Sequence, residues 1–308
     1  MGLKFGLLGT GHWAVETHGA ALAAHPDAVL AGVWGRDFAK AEVLAERCGT
    51  TAYKDVDELL ADVDAVAIAL PPDVQAEQAL RAAQAGRHLL LEKPVALSTS
   101  VADQLMVEIE SRELASVVFF THRFSDNVEN FMAKASESTW QGVRATLFSS
   151  IFQDGNPFGE SPWRREKGGL WDVGPHVLSV VLPVLGQVTE VSALSGPRDT
   201  VHMLTRHADG AVGSFAVTLD APPKARAFDV SLHGDHGWVP VPNGDRGPVE
   251  AFGAAIDRLL AQVSQGSQEP CDVRFGREVV ATLEAAERSL WSKQVEPVSE
   301  APGGVPRA

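Results

Sequence analysis

The sequence predicts an α/β domain with a doubly wound parallel sheet, followed by an α+β domain with an open, mainly antiparallel sheet. The chain has 308 residues, 45% of them hydrophobic, which suffices for two domain cores. Up to about residue 121, short apolar runs alternate with segments of helical periodicity. Strand-like segments then follow one another with fewer helices. We therefore expect domains over residues 1–121 and 122–298, and a disordered Pro/Gly-rich tail over 299–308.

Five apolar runs in the first domain predict parallel strands, because strands covered by helices on both faces are apolar throughout. The runs span residues 3–9, 28–35, 65–71, 88–94 and 116–124. Helical periodicity with Gly or Pro stop signals predicts helices over 13–25, 38–48, 56–63, 74–86 and 99–113. This alternation predicts a sheet whose ligands bind at the carboxyl ends of its strands.

The second domain has a pattern of consecutive strands. The strand-like segments are VRATLFSSIF, EVSALSG, VHMLTRH, AVGSFAVTLD and FDVSLHG, with a hairpin turn expected at residues 208–210. Helices are expected over 126–136, 175–185, 249–264 and 276–292. Runs of strands with segregated helices predict an antiparallel sheet that is covered by helices on one face.

The composition argues against some classes of protein. The chain has 26 Lys plus Arg and 40 Asp plus Glu, a formal charge of −14, which disfavours a nucleic-acid or anionic-membrane partner. Cys48 and Cys271 are isolated, so we expect free thiols and no metal site. No apolar run reaches the ~18 residues of a membrane span. These features predict a cytoplasmic protein.

The segment GTGHWA, residues 9 to 14, follows the first predicted strand and opens the first predicted helix. It matches G-x-G-x-x-A, a fingerprint of dinucleotide-binding Rossmann domains. Gly9 permits a tight turn, and Gly11 lets the backbone approach a pyrophosphate at the helix N-terminus. The position in a βαβ unit makes the match more specific than the glycines alone. We therefore predict a dinucleotide site that also includes Thr10, His12 and Trp13.

The end of the second predicted strand bears on the choice of dinucleotide. NAD-binding domains usually place an acid there, to bind the ribose hydroxyls. This chain has Gly35 instead, followed by Arg36 and, further on, Lys40. A small residue beside two cations favours NADP(H) over NAD(H), because it leaves room for a 2′-phosphate. In the opposing interpretation Asp37 is the ribose acceptor, or Arg36 is only a solvated loop charge.

Two further positions lie at the predicted cofactor edge of the sheet. Leu70 and Pro71 follow the third predicted strand and are expected to border the adenosine. Glu92 and Lys93 end the fourth predicted strand. A Lys in that crevice can hydrogen-bond a substrate oxygen or take part in proton transfer. The alternative is a Glu–Lys surface pair at the end of a strand.

A second group of candidate residues lies in GGLWDVGPHVLS, residues 168 to 179. Pro175 suits the first turn of a helix, which places His176 near a helix N-terminus. A neutral imidazole there can accept a proton as hydride leaves the same carbon. Asp172 is close enough in sequence to orient His176 or to bind a substrate hydroxyl. The alternative is that Asp172 caps the helix and His176 is a packing residue; the eight histidines other than His12 and His176 are interpreted as structural.

Three motifs together resemble those of the Gfo/Idh/MocA oxidoreductase family. They are the N-terminal G-x-G-x-x-A, EKP at the end of the fourth predicted strand, and G-G-x-x-D-x-G-x-H in the second domain. The resemblance covers nearly the whole chain, including residues 63–94, the segment FFTHRF and the two C-terminal helices. It implies a Rossmann domain, a substrate domain with an open sheet, and hydride transfer between a nicotinamide dinucleotide and a CH–OH carbon of a sugar or cyclic polyol.

The resemblance also implies roles for individual residues. Lys93 would be the catalytic Lys, and His176 would be the general acid/base or share that role. Asp172 would orient the pair or hold substrate, and Glu92 would lie near the nicotinamide ribose. Trp163 and Arg164 fall where the family has residues near the nicotinamide and the substrate, although core packing of Trp163 is an equal alternative. The family's open sheet further implies a homodimer or homotetramer.

Two departures from the family pattern affect these expectations. Ser179 stands where many members have an acid, and Gln75 stands where many have His. The missing carboxylate makes an inositol-type substrate less secure. Two other functions remain open: cleavage of a glycoside with transiently reduced NAD, and non-catalytic sensing of a dinucleotide or sugar.

Overall fold

The computed structural model describes residues 2–302, which fall into two compact units. Unit 1 contains residues up to 96, then 100–124 and 246–276. Unit 2 contains residues 97–99, 125–245 and the described residues from 277 onward. The chain thus returns to unit 1 at residues 246–276, which the predicted boundary at 121/122 places in the second domain. The domain limits themselves stay predictions.

Unit 1 is built on six parallel strands. They are β1 (Leu3–Leu8), β2 (Ala28–Trp34), β3 (Thr51–Tyr53), β4 (Ala65–Ile68), β5 (His88–Glu92) and β6 (Ser116–Phe119). Their order, β3-β2-β1-β4-β5-β6, is that of a dinucleotide-binding doubly wound sheet, with the switch point between β1 and β4. The predicted fold of the first domain is confirmed. The sequence analysis missed β3, because three residues are too short for a periodic signal, so the strand that ends in Glu92 is the fifth.

The helices of the described residues match the predicted ones, except that the sequence analysis did not predict the helix over Pro162–Asp172. A π-helix over Ala14–Gly19 precedes the α-helices, which are α1 (Ala20–Ala24), α2 (Phe38–Cys48), α3 (Val56–Asp62), α4 (Pro72–Gln84), α5 (Thr99–Ser111), α6 (Asp126–Ala135), α7 (Pro162–Asp172), α8 (Gly174–Leu185), α9 (Pro248–Gln265) and α10 (Val273–Ser292). Local sequence signals determine where several of these helices begin and end. Asp37 caps α2 by accepting from the Lys40 N–H, and Gly49 ends it with φ +67°.

The returning segment 246–276 completes unit 1 because it satisfies an exposed sheet edge. The Val118 N–H of β6 donates to the Cys271 carbonyl oxygen at 2.6 Å. The Ser116 N–H donates to Gln262 Oε1 at 3.0 Å, and Ser116 Oγ accepts from the Val273 N–H. An edge strand that bonds in this way no longer offers free backbone groups to another chain.

Unit 2 contains a seven-stranded mixed sheet. Its strands are β7 (Trp140–Phe148), β8 (Val188–Ser195), β9 (Val201–His207), β10 (Val212–Thr218), β11 (Ala227–Gly234), β12 (Gly237–Pro240) and β13 (Glu296–Pro297), in the order β12-β11-β7-β10-β9-β8-β13. All pairs are antiparallel except β7 and β10. The mainly antiparallel sheet and the hairpin between β9 and β10 are confirmed. Along β9, buried and exposed residues alternate strictly, so one face is covered and the other is exposed.

One helical stretch among the described residues, Pro162–Leu185, is long and apolar enough by length and composition to cross a membrane. Its most apolar window is 83% buried inside the protein, which is typical of a core helix. Both cysteines are free thiols, and Cys271 is buried. Of the predicted tail, residues 303–308 lie outside the described residues. The carbonyl oxygens of Ser299 and Glu300 each accept a hydrogen bond of 2.6 Å from buried Arg277.

Three histidines, one buried and two half-buried, are expected to make the protein less stable in mild acid. Burial lowers the pKa of His88, His122 and His207 below the usual 6.5. In His207 the Nδ1–H donates to the Gly186 carbonyl oxygen at 2.7 Å, which opposes the shift in part. Below pH 6.5 the unfolded chain therefore binds more protons than the folded chain. The free energy of unfolding falls as the pH falls below that value and levels off above it.

Thermal unfolding at pH 5.5 and 7.5 measures this effect, and Tm drops by about 2–4 °C for each kcal/mol of stability lost. His207→Gln, which keeps a donor for Gly186, should have a smaller drop than wild type. Exposed His202, on the same strand, provides the matched control His202→Gln, which should keep the full drop. Burial raises the pKa of Glu269, which acts in the opposite direction, so the variants are compared with each other. Equal drops in both variants would rule out His207 as a source.

Candidate active site

The loop between β1 and the first helix has room for a pyrophosphate. Gly9 has φ +129°, and a Cβ there would lie 2.4 Å from the Ala69 carbonyl oxygen, so only glycine fits. A Cβ at Gly11 would meet no atom within 4 Å. Gly11 is exposed, and its carbonyl oxygen accepts the first helical hydrogen bond, from the Val15 N–H at 3.0 Å. The loop therefore fits a dinucleotide at the helix N-terminus.

The end of β2 lacks a carboxylate for a steric reason. A Cβ at Gly35 would lie 2.6 Å from Thr10 Cγ2 and 3.1 Å from Thr10 Oγ1. Arg36 and Lys40 are both exposed beyond it. The Asp37 carboxylate caps α2 through Oδ1, and its Oδ2 lies 3.9 Å from Lys40 Nζ. The Asp37 carboxylate therefore already has a structural role.

The other predicted cofactor residues are at the same edge of the sheet of unit 1. His12 is exposed and Trp13 is half-buried in the first turn of the helix. Leu70 and Pro71 are half-buried after β4, where Pro71 directly precedes α4. An open groove next to Thr10 continues along α2 past Lys40 and Val43.

Glu92 is held by side chains of the dinucleotide loop and its helix. Glu92 Oε1 accepts a hydrogen bond of 2.7 Å from Trp13 Nε1 and lies 3.2 Å from His18 Nε2. The ring of His18 is fully buried and packs 4.1 Å, centroid to centroid, from Phe252. The sequence analysis interpreted His18 as structural, yet it contacts a candidate site residue. His18 lies four residues after buried Ala14, on the same helix face. This spacing is the signal that could have identified His18 as a buried residue facing the sheet edge.

Lys93 is half-buried and directly follows β5. The backbone on both sides of it is bonded to Gln75, whose side chain is fully buried in the first turn of α4. Sequence reasoning noted Gln75 only as a departure from a family pattern. The structure shows that its side chain is hydrogen-bonded to the backbone of the two residues that flank the candidate catalytic Lys.

In unit 2, the two glycines before Asp172 form a sharp break within α7. Gly168 has φ +62°, and a Cβ at Gly169 would lie 2.5 Å from Thr218 Cα. The Asp199 carboxylate accepts from the Gly169 N–H at 2.8 Å and from two consecutive N–H groups after β10, those of Leu219 and Asp220. Sequence reasoning missed Asp199, because nothing near it in the sequence indicates these partners.

Asp172 is buried and forms an ion pair with Arg164, with Arg164 Nε donating to Oδ2 at 2.9 Å. The guanidinium carbon of Arg164 lies 4.7 Å from the ring centre of half-buried Trp163. The residue that precedes α8 is Val173, and no side chain caps that end. The N-cap residue of α8 is therefore Val173, and the Asp172 carboxylate pairs with Arg164.

The start of α8 agrees with the sequence analysis. Pro175 occupies its first turn and places half-buried His176 as the third residue of the helix. Ser179, where many family members have an acid, is fully buried and donates to the His176 carbonyl oxygen at 2.8 Å. Within residues 2–302 there is no group of three His, Cys, Asp or Glu side chains that could hold a metal ion.

The two units thus carry complementary chemistry. Unit 1 offers a dinucleotide loop and a Lys at the carboxyl edge of a parallel sheet. Unit 2 offers an imidazole and a buried carboxylate in one short segment. That Lys93, Asp172 and His176 act on one substrate stays a prediction. A Rossmann domain with a Lys at this edge, joined to an open-sheet domain, is an architecture typical of a class of nicotinamide-dependent oxidoreductases.

Comparison with known sequences identifies the family. The model described as "Oxidoreductase family, NAD-binding Rossmann fold" matches residues 3–120, and the GFO/IDH/MocA C-terminal domain matches residues 143–239. The chain belongs to the GFO/IDH/MocA oxidoreductase family.

Individual proteins and a solved structure are also similar to this chain. The levoglucosan dehydrogenase of Pseudarthrobacter phenanthrenivorans is 26% identical over 58% of this chain and 55% of its own length, so this chain spans just over half of that relative. The inositol 2-dehydrogenase of Rhizobium meliloti is 24% identical over 96% of this chain and 98% of its own length. The structure of GenD2 from gentamicin A biosynthesis in complex with NAD superimposes with a TM-score of 0.84 at 23% identity, covering 97% of each chain. The structural likeness shows a common fold.

Proposed function

We propose that the protein oxidises a CH–OH group of a sugar or cyclic polyol, or reduces the corresponding carbonyl group, with a nicotinamide dinucleotide. The observation that carries this proposal is the position of Lys93 directly after β5. Gln75 is hydrogen-bonded to the backbone of the neighbouring Glu92, and the Glu92 carboxylate accepts a hydrogen bond from Trp13, near the dinucleotide loop. The bound dinucleotide supplies the hydride donor or acceptor. The chain supplies binding, orientation and proton transfer.

In this proposal Lys93 hydrogen-bonds the reacting oxygen of the substrate. During oxidation the hydroxyl proton leaves that oxygen as hydride leaves the same carbon. His176, in the first turn of α8, accepts the proton directly or through Lys93. Buried Asp172 orients these groups, and its ion pair with Arg164 keeps its carboxylate in place. Arg164 and Trp163 contribute to the substrate site.

We further propose that NADP(H) is preferred over NAD(H). Gly35 supplies no carboxylate that would repel a 2′-phosphate, and Thr10 occupies the space that a side chain at position 35 would need. Arg36 and Lys40 are exposed at the same end of β2 and can pair with the phosphate. Asp37, the alternative ribose acceptor, is engaged as the cap of α2.

A screen of sugars and cyclic polyols, monitored by nicotinamide absorbance with both dinucleotides, tests the proposed function. Turnover of at least one such compound with a change in nicotinamide absorbance supports it. A protein that binds the dinucleotide and cleaves an aryl glycoside without net absorbance change would instead support the glycoside-cleaving alternative.

The exposed face of the sheet in unit 2 supports the proposal that the protein forms a homodimer or homotetramer. Leu194, Leu204 and Trp238 are 66%, 53% and 58% exposed. Leu194 pairs with His202 and Leu204 pairs with Ser192, which makes the two leucines diagonal neighbours. The two leucines form a small exposed apolar patch on β8 and β9, of a kind found at subunit interfaces, whereas Trp238 adds exposed apolar surface separately, on β12.

Substituting Leu204 with Glu is expected to lower the oligomer mass, because a carboxylate buried in an interface without a partner is costly. Light scattering coupled to size exclusion measures the mass. Wild type should have at least twice the 32.8 kDa of one chain, and Leu204→Glu should shift toward 32.8 kDa. Val107→Glu, at a 51% exposed position of α5, is the control and should leave the mass unchanged. A wild-type monomer would contradict the proposal.

We also propose that the protein works in the cytoplasm. Its two cysteines are free thiols, as expected for a protein kept in a reducing compartment. Fractionation of the source cells with an antibody to the protein tests this proposal.

A further inference from the structure

Gln75 makes three hydrogen bonds to the backbone around Lys93. Its Nε2 donates to the Glu92 carbonyl oxygen at 2.7 Å and to the Pro94 carbonyl oxygen at 3.1 Å. Its Oε1 accepts from the Glu92 N–H at 2.8 Å. One side chain therefore binds the residue before Lys93 and the residue after it. Gln75 has an exposed fraction of 0%, so water does not compete for these bonds.

The chemistry of these partners determines the orientation of the amide. Two carbonyl oxygens can only accept, so they face the NH₂ group, and a backbone N–H can only donate, so it faces the oxygen. A carboxylate has no donor for the carbonyl groups, and an apolar side chain has neither donor nor acceptor. Few other side chains can supply two donors and one acceptor from a helix at this distance.

The Glu92 side chain holds the same segment from its other side. Its carboxylate accepts from Trp13 Nε1 at 2.7 Å and from the Lys93 N–H at 3.3 Å. Gln75 of α4 holds the backbone, and Trp13, in the helix that follows the dinucleotide loop, holds the Glu92 side chain, so the turn that carries Lys93 has little freedom to shift. A segment fixed in this way presents its side chain at one place relative to the loop.

We propose that Gln75 is a positioning residue for Lys93: its amide fixes the backbone on both sides of the lysine and so sets where the ammonium group lies. The part of this inference that concerns turnover rests on the proposed function. The part that concerns the placement of Lys93 does not depend on it. The effect on turnover is of the kind expected from a displacement of about 1 Å, which costs up to ~100-fold.

The test uses Gln75→Met, which keeps the length of the side chain and removes all three bonds, and Gln75→His, which keeps a donor and an acceptor. Gln78→Met is the matched control, because Gln78 is also buried on α4 and is not bonded to the Lys93 segment. Lysine side chains are labelled by reductive methylation. Peptide mass spectrometry measures the rate of methylation of Lys93 relative to the rate of methylation of exposed Lys134. Tm, dinucleotide affinity by tryptophan fluorescence, kcat and KM are measured on the same samples.

In Gln75→Met we expect the relative labelling rate of Lys93 to change at least ~3-fold and kcat to fall ~10–100-fold, with dinucleotide affinity within ~3-fold of wild type. Gln75→His should lie between Gln75→Met and wild type, and Gln78→Met should match wild type in labelling and kcat. A folded Gln75→Met with wild-type labelling and kcat overturns the proposal. Equal changes in Gln78→Met also overturn it, since they would indicate a general packing effect. If Gln75→Met does not fold, the Lys93 labelling rate and kcat of Gln75→His are compared with wild type instead. Wild-type values of both in Gln75→His would then overturn the proposal.

Lys93→Ala in the same assays separates the two proposals. If Lys93→Ala retains turnover, the proposed role of Lys93 is wrong, while the labelling results still decide whether Gln75 positions it. If Lys93→Ala is inactive and Gln75→Met is fully active, only the inference about Gln75 is wrong.

Discussion

Lys93→Ala is expected to lower turnover by at least ~100-fold, which is the lower end of the range for a positioned proton-transfer group. Lys93 directly follows β5, the strand whose carboxyl end lies on the ligand-binding edge of the sheet in unit 1. It is half-buried, and its backbone is fixed on both sides by Gln75. Removal of the ammonium group would take away the proposed hydrogen bond to the reacting oxygen, while the Gly9–Gly11 loop, which lies after a different strand, keeps its contacts.

The measurement is steady-state turnover of a substrate from the screen, together with dinucleotide affinity. Affinity should stay close to wild type, because the predicted pyrophosphate contacts come from the loop after β1. Lys134→Ala removes an exposed Lys of α6 and is the control for the loss of a positive charge. Turnover of Lys93→Ala at the wild-type level would show that another group handles the proton.

The double variant Thr10→Ala with Gly35→Asp is expected to reverse the proposed preference for NADP(H). A carboxylate at the end of β2 can accept from the ribose hydroxyls of NAD and repels a 2′-phosphate. Like charges placed together in a binding site cost several kcal/mol, so the ratio of the two affinities should shift by at least ~100-fold. Both substitutions are needed, because a Cβ at position 35 would lie 2.6 Å from Thr10 Cγ2. In Thr10→Ala the nearest remaining atom is the Cβ of residue 10, at 3.4 Å.

Tryptophan fluorescence titrations with NADPH and NADH measure this shift, since Trp13 and Trp34 lie at the dinucleotide edge of unit 1. Thr10→Ala alone should keep the wild-type preference, and Gly35→Asp alone should lower Tm through the steric clash. Wild-type protein that binds NADH as tightly as NADPH, or more tightly, would refute the argument from Gly35, Arg36 and Lys40.

Patterns within short stretches of sequence predicted much of both units. The βαβ placement of GTGHWA predicted the loop in which Gly9 has φ +129°, and Pro175 predicted the start of α8. The errors have local causes as well. The strand β3 has three residues, too few for periodicity, and the break at Gly168 made the helical segment α7 hard to recognise. The sequence allows Asp172 as a cap of α8, but the residue that directly precedes this helix is Val173, and the Asp172 carboxylate pairs with Arg164.

Short sequence patterns are enough to predict the class of fold and the residue types that can do the chemistry, because backbone conformation depends largely on neighbours a few positions apart. The side chains that hold those residues in place become known only from the packing of distant segments. Gln75 and Glu92 are 17 positions apart, Asp199 and Gly169 are 30 apart, and Trp13 and Glu92 are 79 apart. Such partners meet because strands and helices pack side by side, and no pattern along a single stretch of chain records which stretches become neighbours.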